Sequence, residues 1–223
     1  MLEIPEFNLH LIRHGQSETN AQPDKMGQTS WDPLTNLGKQ QAKRLGESFE
    51  KKNQMWDFIF SSSYDRALDT ARIATGVNDG LIAIFSDLRE YDAGLWLGAS
   101  RSQVVTQDVK YKMNCLGQAF SPPEGESLNH VQRRASAWLD ENIVYNEYIL
   151  ERHKELNRPL EIAVFSHGLT IKCLLQYIMG FDKIFTWKII INNTSVSKLS
   201  FGKDGWKVYS INDCSHLGED EKT

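Results

Sequence analysis

The sequence predicts an α/β fold of three layers, a largely parallel sheet with helices on both faces. Two observations carry this. Short apolar runs of strand length alternate along the chain with longer segments of helical period. Three of those runs end in small polar clusters, Arg13-His14-Gly15, Ser61-Ser62-Ser63 and Ser166-His167-Gly168. In open α/β sheets ligands bind beyond the carboxyl ends of strands, so these clusters mark the expected site. No repeat, low-complexity tract or long linker divides the 223 residues, and a single domain over 1–223 is expected.

Residues 7–12 alternate apolar and polar and then turn wholly apolar, a strand entering a core. Thr35 precedes a helix over 35–52, with Leu37, Gln41, Leu45 and Phe49 near helical spacing. Residues 58–60 form the next strand, and Ser63 is placed to cap a helix over 64–75 whose Ala67, Leu68, Ala71 and Ala74 make one stripe. A third strand spans 81–85. Residues 100–123 mix basic and aromatic side chains without a clean period and read as an irregular excursion, part of a site cover at about 91–123. A long helical segment is expected over 126–155, ending before Asn157-Arg158-Pro159. A strand over 160–165, a helix over 169–179 closed by Gly180, and a hairpin of 195–201 with 206–211 complete the chain.

Composition excludes several classes. Hydrophobic residues make up 40% and charged residues 24%, which supports a packed core. A net charge of −4 supplies no positive field for nucleic acid or an anionic membrane surface, and no apolar run approaches spanning length. The first seven residues lack the basic start of a secretory signal, and Cys115, Cys173 and Cys214 are odd in number without CxxC spacing. A cytoplasmic protein with reduced thiols is expected, and a homodimer is left open.

Two buried strands that each end in His-Gly, at His14-Gly15 and His167-Gly168, are hard to assign to packing. The glycine after His14 is read as permitting close approach to a ligand. His10 and His14 lie four apart, but the segment reads as strand and the Glu of HExxH is missing, so no metal site is expected. Neither GxGxxG nor GxxxxGK[ST] occurs.

The run from Leu11 to Asn20, with Arg13-His14-Gly15 at its head, resembles the signature of the histidine phosphatase superfamily, in its branch of cofactor-independent phosphatases and phosphoglycerate mutases. Further segments agree in order: Pro33-Leu34-Thr35, Arg66-Ala67 with Thr70-Ala71, Leu88-Arg89-Glu90, Gly125-Glu126-Ser127, Ser166-His167-Gly168, Asn193-Thr194-Ser195-Val196 and His216-Leu217. The resemblance implies that His14 is a nucleophile forming a phosphohistidine and that Glu90 is the proton donor to the leaving oxygen. It implies that Arg13, Asn20, Arg66 and His167 bind the phosphoryl group, with Gln28 and Gly168 in the substrate site. Arginine forks suit a transferring phosphoryl group, and an attacking imidazole must be neutral, with its other nitrogen held by an acceptor.

Neither cofactor nor metal is implied. Relatives carry a Gln-Gly pair where this chain has Gly27-Gln28. The mutases carry a longer insertion after the acid, where only Gly98-Ala99-Ser100-Arg101 stands here. The expected function is therefore hydrolysis of small phosphate monoesters, with mutase-type transfer or a non-catalytic phosphate-binding domain as alternatives. Arg101, Lys110, Lys112, Trp96, Tyr111 and Phe120 in the cover favour a small anionic ester as partner.

Overall fold

The computed structural model describes residues 4–27 and 29–223. Six strands form one sheet in the order β3-β2-β4-β1-β5-β6. Strands β1 (Phe7–Arg13), β2 (Phe58–Ser62), β3 (Ile82–Phe85) and β4 (Leu160–Ser166) run parallel. The hairpin of β5 (Val196–Gly202) and β6 (Gly205–Asp213) adds antiparallel to the free edge of β1.

The two-residue period of the strands sorts side chains into two cores. Leu9 and Leu11 of β1 with Ile162 and Val164 of β4 face one way. They pack against Trp138 and Leu139 of helix α5 (Leu128–Leu139) and Leu174 of α7 (Gly168–Met179). Ile12, Ala163 and Phe165 face the other way, against Leu45 and Phe49 of α1 (Asn36–Lys51) and Leu68 and Ala71 of α2 (Asp65–Thr75). The Leu, Ile, Val and Phe side chains among them each contribute about 1.5–3 kcal/mol when fully buried. The predicted three layers are thus present, and the strands carry their polar ends out between the two cores.

Local chemistry accounts for where the elements begin and end. Thr35 caps α1 by accepting from the Gly38 N–H at 3.0 Å, and Gly180 ends α7 at φ 66°. Ser63 does not cap α2: Tyr64 holds that position, and its N–H donates to the Ser62 hydroxyl instead. The segment expected to be one long helix is broken. After α5 a π-helical turn, Asp140–Val144, leads to Asn146, whose side chain accepts from the N–H groups of Tyr148 and Ile149 and starts α6 (Glu147–Leu156) afresh.

The cover is more ordered than its sequence implies, with short helices α3 (Arg101–Val104) and α4 (Gln107–Leu116). Thr106 caps α4 and Asp108 pairs with Lys112 one turn on, while no residue of α4 is buried, so a core-facing stripe is missing. All three cysteines are free. Among the described residues no helix is long and apolar enough to cross a membrane.

Candidate active site

The carboxyl ends of β1, β2 and β4 bring His14, Ser62 and His167 together, and the first turn of α2 adds Arg66. The His14 and His167 rings lie 5.0 Å apart, and Arg66 is wholly buried. His14 Nδ1 lies 2.7 Å from the Gly15 carbonyl, which only accepts, so the proton sits on Nδ1. Nε2 is left with its lone pair, which accepts from Arg66 Nε–H at 3.3 Å. Burial, then the charges of Arg66 and Arg13, hold His14 well below the ordinary imidazole range and outweigh the bond to Gly15. His14 is a neutral imidazole of one defined tautomer.

His167 is pushed down in the same way, by burial first and then by Arg66 and His14. Its Nε2 lies 2.8 Å from the Ser62 hydroxyl. Arg66 Nη1 donates to the Thr29 carbonyl at 2.8 Å, and Arg13 Nη1 to the Ile191 carbonyl at 2.7 Å, partners that orient both forks without neutralising them. Burial lowers Arg66 to about 10 and lowers Arg13 too, Glu90 opposing in both cases; a guanidinium keeps its proton in proteins, so both are cationic at neutral pH. Arg13 Nε, Arg66 Nη2 and His167 Nδ1 are buried without a hydrogen-bond partner among the described residues. Three such atoms in one cluster would each cost about 1–3 kcal/mol, a cost an anion with several oxygens removes.

Glu90 enters from the loop after β3. Both of its carboxylate oxygens are engaged, accepting from the N–H groups of Tyr91, Leu169 and Thr170 at 3.0–3.3 Å. The side chain is thereby seated on the first turn of α7, and Arg134 steadies its backbone by donating to the Glu90 carbonyl. Asn20 lies beside the loop that bears His14, with Oδ1 3.4 Å from Asn193 Nδ2. Gly168 opens α7 beside Arg13, where an added Cβ would make ordinary van der Waals contact with Arg13 Nε at 3.5 Å. Gln28 lies outside the described residues.

Gly15 has a different role from the one expected. An added Cβ would meet the Gly38 carbonyl of α1 at 2.5 Å, so the close approach is to a helix and not to a ligand. His10, four residues before His14, is paired with Glu161 at 2.8 Å and stacks edge-on against Trp56, apart from the cluster.

Beside the cluster opens a cavity of about 460 Å³. Asn20 and Glu90 border it, with Trp96, Val105, Met113 and Phe120 of the cover on one side and Leu128 and Leu169 on the other. The loop bearing Lys25 is zipped to the cover: Met26 N–H donates to the Ala99 carbonyl, Gly98 N–H to that of Met26, and Arg101 N–H to that of Asp24. Ser62, Tyr64 and Thr70 also build the site. Tyr64 lies under the Arg66 guanidinium at 4.9 Å, and Thr70 Oγ1 accepts the Gly15 N–H. Thr70 had a sequence signal in its spacing from Arg66, whereas the Ile191 carbonyl that aims Arg13 had none.

Two parallel strand ends that bring paired imidazoles beside two buried arginines, neither of them in a direct ion pair among the described residues, define an α/β protein with a cationic cluster at the carboxyl edge of its sheet. This chain belongs to the histidine phosphatase superfamily (branch 1), whose sequence profile matches residues 9–214. It is 26% identical over 218 residues to a probable phosphoglycerate mutase GpmB of Proteus mirabilis, with 95% of both chains covered. Among solved structures it is similar to Bacillus stearothermophilus YhfR, at 27% identity and a TM-score of 0.77, covering 94% of this chain and 98% of that one. It shares the fold of a phosphoserine phosphatase from Entamoeba histolytica, at 24% identity and a TM-score of 0.75, over 95% and 99% of the two chains.

Proposed function

We propose that this chain is a metal-independent phosphatase acting on small phosphate monoesters through a phosphohistidine at His14, the whole chain serving as one catalytic unit with 91–123 as its cover. The observation that carries the reading is the tautomer: Nδ1–H is spent on the Gly15 carbonyl, and the Nε2 lone pair faces Arg66 inside a buried cationic cluster. That lone pair attacks phosphorus while the ester P–O bond breaks. Arg13, Arg66, Asn20 and His167 take up the charge on the phosphoryl oxygens, with Ser62 donating to His167 Nε2 so that Nδ1–H is free to bind one of them. Gly168 and Gln28 are assigned to the substrate side by the resemblance alone.

Glu90 gives its proton to the departing alkoxide. As a carboxylate it then accepts a proton from water, which attacks phosphorus, breaks the N–P bond and releases phosphate with His14 restored. The cavity supports hydrolysis over transfer between positions of a three-carbon acid. Its volume and its Trp96, Phe120, Leu128 and Leu169 walls offer room for an apolar leaving group. Mutase-type transfer has one observation in its favour, the name borne by the Proteus mirabilis relative.

The test uses an aryl phosphate and 3-phosphoglycerate in excess chelator. Phosphate release from the aryl ester, an acid-labile label on the protein, and loss of both in His14→Ala are expected. Interconversion of phosphoglycerates without phosphate release overturns hydrolysis, and labelling retained in His14→Ala overturns the nucleophile.

A further inference from the structure

The nucleophile's loop is held by a closed circuit of hydrogen bonds that reaches a residue distant in sequence. The Gln16 N–H donates to Gln41 Oε1 at 2.8 Å, which fixes the direction of that amide, so Gln41 Nε2 donates to Thr223 Oγ1 at 3.1 Å. From the other end, the His14 carbonyl accepts from Asn193 Nδ2 at 2.8 Å, so Asn193 Oδ1 must accept, and the Thr223 hydroxyl donates to it at 3.1 Å. Within this circuit Thr223 Oγ1 both accepts and donates, between the buried amides of Gln41 and Asn193, and every bond direction is determined.

The circuit acts on the imidazole through one peptide unit. In a trans peptide the carbonyl and N–H point in opposite directions. Holding the Gln16 N–H on Gln41 therefore turns the Gly15 carbonyl toward His14 Nδ1, the contact that selects the tautomer. The preceding unit is pinned likewise, with its N–H on Thr70 and its carbonyl on Asn193 and the Thr194 N–H. The segment that bears Thr223 is tied down by Gln41 Nε2 and Gln40 Nε2, which donate to the Glu221 carbonyl and carboxylate at 2.7 Å each. A further bond, Asn193 N–H to the main-chain oxygen of Thr223 at 2.8 Å, locks the two together.

We propose that Thr223, acting through Gln41 and Asn193, is a positioning residue that sets the tautomer and aim of His14. The inference rests on the reading of His14 as nucleophile, but its key measurement, the tautomer, does not.

Nitrogen NMR of histidine-labelled protein reads the proton position on His14 directly, beside turnover of an aryl phosphate and thermal stability. Wild type should show Nδ1–H. Thr223→Val, which removes the hydroxyl and keeps the shape, should populate the Nε2–H tautomer and lower kcat about three- to tenfold with KM unchanged. Thr223 is exposed, so water replaces part of the lost bonding and the melting temperature should hold. Thr223→Ser should restore both tautomer and kcat. An unchanged tautomer in Thr223→Val overturns the proposal, whether kcat stays level or falls alongside stability. A wild type that shows the tautomer but never forms a phosphoenzyme overturns the nucleophile reading alone.

Discussion

The floor and the roof of the cavity differ in how they are held. At the floor, His14, Arg66 and His167 are no more than 1% exposed, and their orientation is set by hydrogen bonds to the Gly15 carbonyl, the Thr29 carbonyl and the Ser62 hydroxyl. The roof, residues 91–123, contributes few buried side chains: Ala93, Trp96, Gln118 and Pro122, and none from α4. Its link to the opposite loop consists mainly of backbone bonds between 24–26 and 98–101. Local unfolding draws on segments with little buried area, so the roof opens at lower cost than the floor. Under the proposed function, chemistry that needs fixed donors sits on strand ends, and the choice of leaving group falls to a surface segment of the kind that varies most readily.

The largest effect that separates the two regions is expected at Glu90, which stands on their boundary. Glu90→Gln keeps size but removes the transferable proton, so formation of the phosphoenzyme from an alkyl phosphate should slow by about 10² to 10⁴. An activated aryl ester, whose phenolate leaves unaided, should slow much less in that step. Equal losses in rapid-quench measurements would assign Glu90 to positioning, with Asp92 as the next acid to examine.

A smaller effect is expected within the roof. Trp96→Ala, which removes a wall and the 5.7 Å ring contact with Phe120, should lower kcat/KM for an aromatic ester about tenfold, chiefly through KM. If it slowed labelling by every ester alike, roof and floor would not be separable.

The smallest effect is the pH dependence of stability. Burial holds His14, His167 and His216 below the ordinary 6.5, His216 at about 4. The unfolded chain therefore binds more protons than the native one below about pH 6.5, and stability falls as pH falls from there toward about 4. Urea midpoints should decline over that range. Opening of α4, read by hydrogen exchange, should not follow, since 91–123 contain no histidine. Midpoints flat down to about pH 4 would show that the floor histidines are not buried neutral.

Much of this division was legible in the chain. Strand ends are written as apolar runs that stop at His-Gly or Ser-Ser, and those runs placed His14, Ser62 and His167 together. Two residues of the cluster come from elsewhere: Arg66 follows from a helix start, and Glu90 only from resemblance, because its seat on the N–H groups of Leu169 and Thr170 joins residues about eighty positions apart. The α4 helix escaped detection because periodicity reports burial, and this helix buries nothing. The break at Asn146 was legible in principle, since Asn before Glu147 is a capping signal, but helical residues on both sides masked it. Gly15 was misread because sequence shows that a backbone is approached closely without showing by what.

That last contact has a consequence for how the enzyme comes into being. Gly15 abuts Gly38, and an added Cβ on Gly38 would run into the Gln16 carbonyl, so the loop bearing His14 and the first turn of α1 occupy neighbouring space with nothing between them. The Thr35 N–H and hydroxyl both reach the same Gln16 carbonyl. Neither piece can take its native course until the other has arrived. The loop bearing His14 thus takes its native course together with the docking of α1 on the sheet, and under the proposed function a chain in which that helix has frayed should be inactive. Under that function, phosphatase activity should count fully assembled molecules, with a partly folded population adding nothing to the measured rate.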